Sequence, residues 1–256
     1  MFRPCIDLHE GRVKQIVGGT LTDSGQGLKT NFVAEHSPSW YAKLYQKDNL
    51  KGGHIIKLGP GNDDAAREAL RAFPGGFHIG GGINEQNALE WLDAGASHVI
   101  VTSYVFRDGI LDWKRLEALV RVVGRERLVL DLSCRIKDGD YYVVTDRWQK
   151  FTTLKVTRET LDLLSQYCSE YLIHAADVEG LCQGIDSSLV RLLGECVQIP
   201  TTYAGGASSL EDLKLVTQLS GGKLDMTMGS ALDIFGGHVK YADLVAFNQN
   251  LLDNAP

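Results

Sequence analysis

Eight short apolar runs punctuate the chain: PCIDL (4–8), HIIKL (54–58), FHIGGGI (77–83), HVIVTS (98–103), RLVLDL (127–132), YLIHA (171–175), TTYAGG (201–206) and LDMTMG (224–229). None has the clean in-out alternation of a half-exposed strand. Between most of them lie stretches such as DDAAREALRAF, DWKRLEALVRVVG and SSLEDLKLVTQL, whose apolar positions recur at helical spacing. Strands apolar on both faces and separated by helices predict a parallel sheet covered on both sides. Eight such units in 256 residues predict an α/β fold, a single (β/α)8 TIM barrel forming one domain over residues 1–256. A doubly wound open sheet is the alternative architecture.

The polar ends of these runs repeat. Asp7 closes the first run and Asp131 the fifth, an offset of 131 − 7 = 124. The pairs Gly81-Gly82 and Gly205-Gly206 close the third and seventh, with 205 − 81 = 124 and 206 − 82 = 124. Ser103 and Ser230 follow the fourth and eighth, offset by 230 − 103 = 127. Four matches in register predict two repeated half-barrels, approximately residues 1–123 and 124–256.

Residues at the C-terminal ends of barrel strands face the mouth where active sites lie. A lone strand-end aspartate serves as readily as a turn cap or half an ion pair. Repeated on opposite sides of one mouth, Asp7 and Asp131 instead suit a division of acid and base work. The segments GGGINEQN and AGGASSLED each run through glycines into a helix start, the second with a capping-box pattern at Ser208-x-x-Glu211. Glycine lets backbone approach a ligand, and a helix N-terminus offers free N–H groups to phosphate. VTSYVF, with Thr102 and Ser103, and MGSALDIF, with Gly229 and Ser230, supply partner loops. Each half thus carries a candidate phosphate site, which predicts a ligand with a phosphate at each end. The plainer reading of either glycine pair alone is a tight strand-to-helix turn. His174 closes the sixth run and suits either the mouth or a structural role. Trp148, in the DRWQKF loop, suits a core anchor or a stacking platform for a flat heterocycle.

Composition narrows the partners. A formal net charge of −6 argues against nucleic-acid binding, which needs a clustered basic surface. No apolar run approaches the roughly 20 residues of a membrane span. Five cysteines without CxxC spacing, and a strand-like run directly after Met1, predict a cytoplasmic protein with reduced thiols. Seven histidines show no HExxH or paired spacing, so no metal is expected. GxGxxG in a βαβ setting, GxxxxGK(S/T) and GxSxG are all absent.

Taken together, PCIDLHEGRV, IGGGIN, VLDL, RWQK, HAADVEGLCQGID, YAGGAS and MGSAL resemble the barrel isomerases of histidine biosynthesis, in particular their eukaryotic branch. These are the phosphoribosylformimino-5-aminoimidazole carboxamide ribotide isomerases. The resemblance implies an Amadori rearrangement of an aminoaldose to an aminoketose on a bisphosphorylated small molecule, without a cofactor; a monomer is expected, although nothing in the sequence fixes the oligomeric state. It implies that Asp7 is the base that removes the C2 proton and Asp131 the acid that protonates the ring oxygen. Gly82 and Ser103 match one phosphate site, and Gly206, Gly229 and Ser230 the other. Trp148 matches a tryptophan whose loop closes over the aminoimidazole.

The chain also departs from the family's bacterial pattern. Asn84 stands where those members carry arginine, and His174-Ala175 replaces a Thr-Asp pair, which makes His174 the candidate for the threonine's orienting role. Lys57 ends the second run, placed either to meet a phosphate or to pair with Asp63. The sister cyclase shares the opening motif but carries a lysine eight residues after the first aspartate, where this chain has Gln15. Its Gly-Asp-Pro stretch is absent from residues 16–40. A non-catalytic phosphate-binding barrel would keep the glycine loops without needing both aspartates.

Overall fold

The computed structural model describes residues 1–17, 20 and 29–253. All eight apolar runs contain a strand of one parallel sheet. The first strand comes in two pieces, Phe2–Arg3 and Cys5–His9, separated by Pro4, which lacks the N–H a ladder needs. Next come Gly53–Lys57, Phe77–Gly80, His98–Val101, Leu128–Asp131, Glu170–His174, Thr201–Ala204 and Leu224–Thr227, neighbours in chain order. Phe2 pairs with Met226 in the last of these strands, and Cys5 pairs with His54 in the second. Both margins of the parallel run therefore fall on residues 2–9, so the sheet is curled. A small inner cluster of Ile100, Val129, Leu172 and Ala204 packs inside it, while most of the core lies between sheet and helices.

The glycine and polar tails of the predicted runs lie beyond the strand ends, in the connecting loops. Eight α-helices follow among the described residues: Pro38–Lys47, Asp63–Ala72, Ala88–Asp93, Trp113–Val123, Arg158–Leu164, Ser187–Cys196, Leu210–Leu219 and Tyr241–Asp253. The expected capping box is one residue off. Ser209, not Ser208, caps Leu210–Leu219, accepting from Asp212 N while Asp212 accepts from the Ser209 N–H. The run Ser-Ser-Leu-Glu-Asp satisfies the same spacing in both registers, and Ser208 N and Oγ also donate to Asp212 Oδ2.

Antiparallel additions decorate the strand ends. Arg12–Ile16 folds back on Cys5–His9 and pairs in turn with Thr30–Val33. After the fifth strand, Cys134–Lys137, Asp140–Thr145 and Lys150–Lys155 form a separate three-stranded sheet. All five cysteines are unpaired thiols. Among the described residues, no helix is long and apolar enough to cross a membrane.

Candidate active site

At the C-terminal ends of the parallel strands lies a cavity that opens to solvent. Asp7, Gly81, Thr102, Ser103, Asp131, Trp148, His174, Gly205, Gly206, Gly229 and Ser230 all line it. Gly82 does not. It sits exposed at the rim, its carbonyl accepting from Asn87 Nδ2 at 2.9 Å. Among the described residues, no three His, Cys, Asp or Glu side chains cluster as a metal site would require.

Strands one and five stand across the curled sheet from one another, with three strands between them in either direction. That order puts Asp7 and Asp131 on opposite sides of the cavity. Gln15, on the strand that folds back over Asp7, donates from Nε2 to Asp7 Oδ2 at 3.1 Å. Asp7 keeps some surface toward the cavity, but its surroundings are dense protein. That desolvation, with the negative charge of Glu179, lifts its pKa to about 7 against the smaller opposing effects of His174 and Gln15.

Asp131 has a different environment. Its Oδ1 accepts from the Ser133 N–H at 2.9 Å and the Ser133 hydroxyl at 2.6 Å. Its Oδ2 lies 3.5 Å from His174 Nδ1, ion-pair distance without the alignment of a hydrogen bond. Burial is the largest single influence on His174 and would lower its pKa, but the carboxylates of Asp131, Glu179 and Asp7, Asp131 foremost, together outweigh it and raise the imidazole to about 9.

The glycine loops obey backbone geometry. Gly81 has φ +93° and Gly205 φ +122°, both in the region that favours glycine. A Cβ on Gly81 would come within 2.2 Å of the Lys57 carbonyl, and one on Gly205 within 2.9 Å of the Ala175 carbonyl. Each therefore lets its loop pass against the end of the neighbouring strand. Ser103 Oγ accepts from Asp146 N at 3.2 Å. Ser230 Oγ donates to Gln15 Oε1 at 3.3 Å and accepts from Asn31 Nδ2 at 3.0 Å. Trp148 occupies the tip of the hairpin between Thr145 and Lys150, its ring centroid 5.6 Å from that of His174.

Both options for Lys57 are realised in part. It lines the cavity, yet its Nζ donates to Asp63 Oδ1 at 2.8 Å and rests 3.9 Å from the Trp91 ring centroid. Asn84 is absent from the cavity lining. Its side-chain oxygen accepts from the Gln86 and Asn87 N–H groups, which shapes the turn into the short helix.

Sequence reasoning missed two members. Glu179 lines the cavity with a buried Oε2 that has no hydrogen-bond partner, and burial raises its pKa. The cue was the second of two carboxylates, after Asp177, in the otherwise small and apolar AADVEGL that follows the sixth strand. Gln15 entered only as a contrast with a lysine elsewhere, although it links Asp7 to Ser230. Lys14 points away from it, bonded to Glu10.

Curated relatives extend along nearly the whole chain. A Yarrowia lipolytica protein is 56% identical over 259 residues, covering 98% of each chain. One from Saccharomyces cerevisiae is 53% identical, covering 97% of this chain and 98% of its own. Both are named 1-(5-phosphoribosyl)-5-(5-phosphoribosylamino)methylideneamino imidazole-4-carboxamide isomerase. A chloroplastic protein of that name from Medicago truncatula is 53% identical and covers 96% of this chain. The model of the histidine biosynthesis protein family matches residues 1–240, and the chain belongs to that family.

Proposed function

We propose that this chain is the histidine-biosynthesis isomerase its relatives are named for. It would convert phosphoribosyl-formimino-aminoimidazole-carboxamide ribotide, an aminoaldose, to the phosphoribulosyl aminoketose. The observation that carries the reading is the pair of strand-end carboxylates, Asp7 and Asp131, facing one cavity with a glycine loop on each flank.

The chemistry needs an acid and a base in turn. Protonation of the ring oxygen lets the C1–O bond break as the substrate nitrogen's lone pair forms an iminium. Removal of the C2 proton then gives an enolamine, which becomes the ketone. Asp131 is assigned the ring oxygen and Asp7 the C2 proton. A base works best with a pKa near the working pH, which fits Asp7 at about 7. Gly81, Thr102 and Ser103 are proposed to receive one phosphate, with Gly82 at the rim. Gly205, Gly206, Gly229 and Ser230 receive the other, and Trp148 covers the imidazole. No cofactor enters this scheme.

The proposed architecture is one (β/α)8 barrel and one domain, built from two repeated half-barrels. Closure is supported by the pairing of residues 2–9 on both sides. The repeat is supported by Gly81-Gly82 and Gly205-Gly206, whose second members share φ values of +70° and +73°. The protein is proposed to act as a cytoplasmic monomer on a small bisphosphorylated molecule, with no nucleic-acid or membrane partner.

The direct test supplies the aminoaldose and follows the aminoketose, with ammonia added in a parallel reaction. Aminoketose alone supports the isomerase. Imidazole glycerol phosphate in the ammonia reaction would point to the cyclase. No turnover, with failure to complement a histidine auxotroph lacking the isomerase, would leave a non-catalytic barrel.

A further inference from the structure

His174 ends the sixth strand beside Asp131, and its Nδ1 has no hydrogen-bond partner although both side chains are largely enclosed, at 12% and 7% exposure. Because Ser133 occupies Asp131 Oδ1 twice, Oδ2 is the oxygen left to handle a proton, and it is the one His174 faces. The charged and titratable groups around this imidazole come from four elements. Asp131 ends strand five, Asp7 ends strand one, Glu179 lies beyond strand six, and His54, on strand two, meets the ring edge-on at 6.1 Å. Three carboxylates around one imidazole favour its charged form. His54 cannot compete for the proton, since burial and the His174 charge push its pKa down to about 3.

We propose that His174 holds the proton of the acid half-reaction and passes it through Asp131 Oδ2 to the ring oxygen. His174 acts through another side chain, so it is a positioning residue and proton store. The balance closes without any further reactant. The Nδ1 proton moves to Asp131 Oδ2 and on to the ring oxygen, leaving His174 neutral and Asp131 ionised, and the C1–O electron pair becomes the new hydroxyl's. Asp7 takes the C2 proton and returns it to C1. The C2 hydroxyl proton, released as the ketone forms, goes back to the Asp131–His174 pair. The aminoketose therefore leaves with the enzyme in its starting state. This proposal rests on the isomerase reading above.

The test combines kinetics with a measurement that needs no substrate. In His174→Asn, kcat should fall about 100-fold while KM stays within about threefold. The alkaline limb of kcat/KM, near pH 9 in the wild type, should vanish. Nitrogen-15 NMR of histidine-labelled wild type should show His174 protonated at pH 8, with its titration moved toward neutrality in Asp131→Asn. A variant that turns over within threefold of wild type, or that keeps the alkaline limb, overturns the proposal. So does a neutral His174 at pH 7, whether or not the variant folds. Absence of turnover in the wild type would overturn the isomerase reading and this proposal with it, whereas an active wild type beside an unimpaired variant overturns the proposal alone.

Discussion

Asp7 and Asp131 end equivalent strands 124 residues apart, 131 − 7, yet their nearest partners differ. Asp7 shares its side of the cavity with another carboxylate, Glu179, and with neutral Gln15. Asp131 is held by Ser133 and faces an imidazole that three carboxylates keep charged. Like charge beside Asp7 favours taking up a proton, and a cation beside Asp131 keeps one within reach. Two carboxylates become a base and an acid through their surroundings rather than their chemistry.

The largest effect should come from deleting either member. Asp7→Asn and Asp131→Asn should each lower kcat by about 1,000-fold with KM little changed, because each removes a proton-transfer group rather than a binding contact. A steady-state comparison in which either variant keeps a tenth of wild-type kcat would break the assigned pairing. His174→Asn is expected to follow, tenfold milder. Ser133→Ala should come next, at about tenfold in kcat, since the backbone N–H of residue 133 still holds Asp131 Oδ1 after the hydroxyl is gone.

Stability sharpens the same contrast. The folded pKa of Asp7, about 7, lies above its unfolded value of 3.8, so the folded state binds a proton the unfolded state has lost. Stability from this group therefore falls as pH rises from about 4 to about 7, and the ionised carboxylate is a liability above that. Asp7→Asn should raise the melting temperature at pH 8 by the equivalent of about 2–4 kcal/mol and bring little gain at pH 4. His174 has the opposite sign. Its raised pKa contributes stability below about 6.5 that is lost as pH climbs through about 9. Thermal melts of His174→Asn and wild type should thus converge in alkali.

Much of this arrangement was legible in the residues. A run such as RLVLDL, apolar on both faces, has few options besides a buried parallel strand, and Leu128–Asp131 is one. Asp7 and Asp131 stood out because a carboxylate ending such a run has to be satisfied or used. The three-stranded sheet after strand five went unread, although its signal was present. Asp138-Gly139, at φ 52° and 86°, forms the two-residue turn that a Lys-Asp-Gly-Asp sequence between alternating segments announces. Glu10-Gly11 turns the same way and delivers Gln15 to Asp7. Glu179 was harder to find, because a loop carboxylate acquires its role only when folding brings it to Asp7. Lys57 shows the reverse, since its nearest partner, Asp63, was six residues away in the sequence.

The most direct test of this division is carbon-13 NMR of aspartate carboxyls in the substrate-free protein, with Asp7 assigned by its loss in Asp7→Asn. The account predicts an Asp7 midpoint near pH 7 that moves downward in Glu179→Gln. An Asp7 that titrates with surface carboxylates near pH 4, or that ignores the removal of Glu179, would contradict it.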